Sequence, residues 1–302
     1  DPILVVNDFR LLQPASQVTF HDPAVLKNPS SGMKELPQKP HIPTPINPLL
    51  HVVHSIIVLG LSAICLGALA FDGVDDVADH GDIAVIDSAT ALSLVFWLFM
   101  PSVPGGTGTN GWIGKGSSVM AYTHGSAGAN PLALKFGVNG VSEARSTDNF
   151  LVAATWIHCG IVYNGALGLG VRVVFYKNGT LQTTAADNVG ASLPDQGTSA
   201  FKVGELDQIS PIVEHRIAHL KMWNVALTRA VIDQEMNSYR PVTRSNLVLW
   251  APYDDGIRAR DYSRNGNHGA VAGSVIMGGP PHIPHPERFI MQKHRHGGLG
   301  LW

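Results

Sequence analysis

The chain has 302 residues, 45% of them apolar and 15% charged, with a formal net charge of −2. The apolar share can bury a sizeable core, and a charge content below the roughly 25% usual for soluble domains implies uncharged surface of the kind that partner subunits cover. No Lys/Arg stripe is present, so nucleic-acid binding through phosphate neutralisation is not expected.

Glycine (32) and proline (20) are frequent, which favours an all-β chain punctuated by turns. Residues 1–48 read as an arm. Pro14, Pro23, Pro29, Pro37, Pro40, Pro43, Pro45 and Pro48 exclude a regular helix or interior strand. Its apolar clusters, Ile3 to Val6 and Leu11-Leu12, suit a segment lying on a neighbouring subunit. The chain begins at Asp1, and no charged segment followed by an apolar one opens it, so no signal peptide is expected there.

Residues 49–71 carry no formal charge and are long enough to span a bilayer. His51 and His54 interrupt the run, Lys/Arg flanks are missing, and its last residues belong to the next motif. Residues 49–68 are therefore expected to form buried strand rather than a membrane helix.

From 69 to 273, short apolar runs alternate with Gly/Asn/Asp turns. Ala91 to Phe99 is a strand apolar on both faces. Val171 to Lys177, Asn178-Gly179 and Thr180 to Thr183 form a hairpin with a type I′ turn. Asn178-Gly-Thr180 also fits a glycosylation sequon, but the turn explains it better. His215 to Trp223 alternates at period two, and Thr228 N-caps a short helix to Glu235. Cys65 and Cys159 sit in apolar runs and read as buried free thiols, with a disulfide left open. Residues 274–302 form a second arm stiffened by Pro280, Pro281, Pro284 and Pro286. Its His282, His285, His294 and His296 lack a recognised zinc spacing.

Several of these stretches, in order, resemble the LamG-like (concanavalin A-like lectin/glucanase) jelly roll. They are Ala68 to Asp76, the Trp97 strand, Trp112 to Gly116, Ala154 to Asn164, Phe175 to Thr180, and Ile217 to Leu227 with its Asn224-Val-Ala-Leu-Thr228 turn. The resemblance covers about two-thirds of the chain. It implies an all-β fold: an antiparallel two-sheet jelly-roll sandwich with one short helix and extended terminal arms. Leu249-Trp250 and Arg260 to Gly269 look like the segment that usually precedes the Phe71-Asp-Gly strand, so the order is permuted. Sandwich termini that lie close together tolerate this.

Glycosidase chemistry needs two suitably spaced carboxylates. The nearest pattern, Glu205-Leu-Asp207, lacks a third acid where Ser210 and Pro211 stand, so no enzyme is expected. Calcium wants six to eight oxygens. Asp72, Asp75 and Asp76 on one turn, with Asp261, Asn265 and Asn267 brought near by the resemblance, form the candidate set. The alternative is that these are turn residues chosen for backbone geometry. Trp97, Trp156 and Trp223 are expected in the core, leaving Trp112 and Tyr122 as glycan-binding candidates. The leading functional expectation is a non-enzymatic structural or interaction subunit, extracellular or on a virion surface. Its arms would join it into a homo-oligomer or larger assembly. The alternative is a glycan-binding adhesion module, with or without calcium.

Overall fold

A computed structural model describes residues 67–280 apart from 129, 139–141, 205, 207–212 and 255–257. The arm 1–48, most of the apolar segment 49–68 (to residue 66), Cys65 and the His-rich tail lie outside the described residues.

In chain order the strands are β1 (Gly67–Phe71), β2 (Val77–Asp79), β3 (Ala91–Phe99), β4 (Thr109–Lys115), β5 (Ser118–His124), β6 (Lys135–Val138), β7 (Ser142–Ser146), β8 (Trp156–Asn164) and β9 (Val173–Lys177). They continue with β10 (Thr180–Gln182), β11 (Thr184–Asp187), β12 (Phe201–Gly204), β13 (His215–Trp223), β14 (Leu247–Ala251), β15 (Arg258–Ala259), β16 (Gly269–Ala272) and β17 (Val275–Gly278). Among the described residues one α-helix, α1 (Arg229–Glu235), follows β13. No helix among the described residues is long and apolar enough to cross a membrane.

The strands form two antiparallel sheets. One runs β10-β9-β8-β3-β13-β1-β17, with β14 also paired to β13; the other runs β11-β7-β6-β5-β4-β12-β2-β16-β15. This is the expected jelly-roll sandwich. The period-two geometry of a strand sends alternate side chains to opposite faces. In β3, Leu92, Leu94, Phe96 and Leu98 meet Ile157, Cys159 and Ile161 of β8 in the core, against Trp112, Phe136, Phe201 and Val203 of the other sheet. Phe96 is fully buried, so truncating it to alanine should cost about 3–5 kcal/mol. Cys159 is a buried free thiol there, and burial pushes its pKa up.

Val95, Val162, Tyr176 and Trp223 point the other way and pack beneath Ile232 of α1, Tyr239, Leu247 and Trp250. Lys221 and Glu235 meet under this cover at 2.6 Å, both buried. Thr228 is extended and ends the preceding segment, as a cap should, but its side chain makes no capping hydrogen bond. The Asn178-Gly179 turn has φ of +49° and +75°, the double left-handed geometry that a type I′ hairpin requires.

Three expectations shift. Trp97 and Trp156 are half-buried rather than core residues, because the helix covers only part of the outer sheet face. Gly67 and Ala68, placed by the sequence in the apolar segment 49–68, belong to β1, the first of the described strands. Val275 to Gly278, assigned to the C-terminal arm, instead pairs with β1 through backbone hydrogen bonds while its side chains stay exposed. The late segment thus returns to the start of the domain: β16 pairs with β2 and β17 with β1.

Candidate functional site

The turn joining β1 to β2 gathers Asp72, Asp75 and Asp76, with carboxylate oxygens within 4.8 Å of one another. Asp76 Oδ2 accepts from the Asp72 N–H at 2.7 Å, and Asp72 Oδ1 accepts from the Val74 N–H at 2.8 Å. Burial pushes the Asp76 carboxyl up, and the neighbouring Asp72 and Asp75 charges add to this against the pull of the Asp72 N–H. Gly273 (φ +76°) lies so close that any side chain there would collide with the Asp76 carboxylate. Three like charges this close repel, and a dication would relieve the repulsion.

The second half of the expected calcium set lies elsewhere. Asp261 is buried and its carboxylate accepts from four donors: Trp250 N–H (3.0 Å), Ser263 N–H (2.7 Å), Ser263 Oγ (2.7 Å) and Asn267 N–H (3.0 Å). Its lone pairs are occupied by the protein, leaving no oxygen for a metal. Asn265 Nδ2 donates to Leu247 O (2.7 Å) and Val248 O (3.0 Å), and Asn267 Nδ2 donates to Val248 O (2.9 Å). These residues brace their own loop onto β14. Beyond β2, His80 Nδ1 donates to Asn267 O at 2.8 Å, which leaves Nε2 to accept from Tyr253 OH at 2.9 Å. Burial holds this histidine below its ordinary pKa. Asp76 precedes β2 and His80 follows it, so the acidic turn and the brace sit at opposite ends of the strand, roughly 13 Å apart at about 3.3 Å per residue. The six residues do not form one site.

The brace has a different consequence. With Asn265 and Asn267 anchored through Nδ2, their Oδ1 atoms receive no hydrogen bond among the described residues. Both amides line an open pocket of about 470 Å³, within the range common for small-ligand sites. Asn224 from the end of β13, Arg244 and Asn246 from the approach to β14, and Ile83 to Val85 from a 3-10 turn complete its walls. Asn224 Oδ1 is buried and has no donor. An unpaired buried acceptor of this kind costs about 1–3 kcal/mol. The pocket therefore offers amide acceptors, one guanidinium and a short apolar wall. Sequence reading missed Asn224, Arg244 and Asn246. They are far from Asn265 and Asn267 in the chain, and only the β13–β14 pairing brings them together.

Neither aromatic candidate is available to a sugar. Trp112 is fully buried in the core, 6.4 Å from the His215 ring, and its indole N–H is unpartnered. The cause is a bulge: the β4–β5 register shifts on both sides of Ile113, so consecutive Trp112 and Ile113 both turn inward. Tyr122 is also buried, and its hydroxyl donates to Glu143 Oε2 at 2.8 Å. Phe136 and Ala144 face the core, so Lys135 and Glu143 beside them face outward. Lys135 Nζ donates to Glu143 Oε1 at 3.2 Å and lies 3.2 Å from His124 Nδ1. Burial and the Glu143 charge raise the Tyr122 pKa. Burial opposes ionisation of Glu143, but the Tyr122 hydroxyl and Lys135 ammonium outweigh it and hold that carboxyl low. The cluster thus contains one ionised carboxylate, not the acid and base pair of a glycosidase. Glu205 and Asp207 lie outside the described residues.

No family model matches the chain, and no curated protein matches it. Among solved structures, a candidate carbohydrate-binding protein from Bacteroides ovatus aligns with a TM-score of 0.56 at 17% identity, covering 73% of this chain. The chain spans 62% of that protein's length. A native heptameric SAP-like pentraxin from Limulus polyphemus aligns with a TM-score of 0.45 at 14% identity, covering 74% of this chain and 99% of the pentraxin. At the first of these levels the likeness is one of fold, and the chain is an all-β antiparallel sandwich of the jelly-roll type.

Proposed function

We propose that this jelly roll is a non-catalytic carbohydrate-binding module of LamG-like type that binds glycans from an extracellular or virion-surface position. The observation that carries the reading is the amide pocket, lined by Asn224, Asn265, Asn267 and Arg244, in which the Asn265 and Asn267 side-chain oxygens accept no hydrogen bond among the described residues. Sugars carry dense hydroxyl donors and acceptors, and such a pocket matches them better than it matches an apolar ligand. The fold likeness to a candidate carbohydrate-binding protein supports the same reading.

Assembly through the terminal arms, the leading expectation from the sequence, depends on residues 1–48 and on a tail mostly outside the described residues. It remains compatible with a glycan-binding body, since multivalent display raises avidity. The test is a glycan-array screen of the full chain alongside Asn224→Ala. Saccharide signal in the wild type that is lost in the variant supports the proposal. An array with no hits would sink it.

A further inference from the structure

We infer that the sugar taken by this pocket carries a carboxylate, held by Arg244, while its hydroxyls donate to the amide oxygens of Asn265 and Asn267. This inference rests on the glycan-binding reading and names the class of glycan.

Charge balance points this way. No acidic side chain among the described residues lines the pocket. Two acids close in sequence to lining residues are committed elsewhere: Asp82 pairs with the buried Lys115 at 2.7 Å, and Asp261 accepts from four donors. Arg244 has no carboxylate within ion-pairing distance among the described residues, and its guanidinium lies 5.6 Å from the Trp250 ring centre. That stacking holds the planar fork in place and leaves its N–H edge for a ligand. The amides supply mostly acceptors, so the strongest donor on the wall faces no protein acceptor of matching charge.

The apolar side of the pocket gives the second argument. Its walls are aliphatic, from Ile83, Val85, Leu247 and Val248, and no aromatic ring among the described residues lines it. A neutral sugar would lack a ring to stack on. A carboxylated one gains a bidentate charge-assisted pair, the stronger class of hydrogen bond.

The experiment is calorimetric titration of the full chain with uronate- and nonulosonate-terminated oligosaccharides, each paired with its carboxyl-reduced counterpart. At least one acidic member should bind about tenfold or more tightly than its reduced partner, and added salt should erode the gap. Arg244→Gln, an exposed position that leaves the core intact, should bring the two affinities together. Equal affinities in the wild type, or a preference for acid that survives Arg244→Gln, would overturn the inference and leave the glycan-binding reading standing. Failure of every saccharide, acidic or neutral, would overturn both.

Discussion

The backbone N–H of Asn224 donates to the carbonyl of Asn246 at 3.1 Å, tying the end of β13 to the residue before β14. Asn246 makes this link in the left-handed region, at φ +60°. Asparagine and glycine tolerate that geometry; a β-branched residue does not. Asn246→Val should therefore cost about 1–2 kcal/mol in urea denaturation and weaken saccharide binding, while Asn246→Gly should keep the fold. Equal stability of the two variants would show that the backbone there does not need this conformation.

Beneath α1, Lys221 Nζ donates to Glu235 Oε2 and to the Ser238 carbonyl, both at 2.6 Å, while Glu235 Oε1 accepts from the Val242 N–H at 2.6 Å. Burial lowers the Lys221 pKa and the Glu235 charge opposes this. Removing one partner strands the other charge. Lys221→Met alone should cost about 3–5 kcal/mol, and Lys221→Met with Glu235→Met should recover much of the loss. Denaturant midpoints of the single and double variants check this. A double variant less stable than Lys221→Met would refute the account of the pair.

Acid should destabilise the domain through its buried histidines. Burial, helped by the Lys221 charge, lowers the His158 pKa to about 3, and burial lowers His215 to about 4 despite its bond to Val213 O. The unfolded chain takes up these protons near pH 6.5 and the folded chain does not. Stability is thus full above pH 6.5 and falls as pH drops toward 4. At pH 5 each histidine should account for about 2 kcal/mol of loss. Thermal or urea unfolding from pH 7 to 4 measures the slope, and His158→Gln should flatten it. An unchanged slope in that variant would mean that His158 is protonated in the fold.

Calcium should bind at Asp72, Asp75 and Asp76 and raise the melting temperature, and Asp76→Asn should remove the shift. Because the amide pocket includes Asn267, at the far end of β2, a chelator should lower the melting temperature without abolishing saccharide binding. A melting temperature indifferent to calcium would mean that the acidic turn serves backbone geometry alone.

Periodicity and turn chemistry made most of the fold legible. The β3 and β13 strands, the Asn178-Gly179 turn and the helix after Thr228 stand where local pattern places them. Trp112 was misplaced because a bulge breaks the alternation on which that reading depends, and no residue type announces a bulge. Asp261 looked like a ligand because acid spacing cannot show that backbone and serine donors already fill its carboxylate. The pocket was invisible for a related reason. Its amides take on meaning only when strand pairing joins residues 224, 246 and 265 and one side of each anchored amide is spent on the main chain.

The most direct test of the central claim is a crystal structure of the full chain with a saccharide that it binds in solution. Sugar density is predicted between Asn224, Arg244, Asn265 and Asn267, with ligand hydroxyls within hydrogen-bond distance of the amide oxygens. Density seated elsewhere, such as over Tyr122 and Glu143 on the outer face of the second sheet, with this pocket empty, would contradict it.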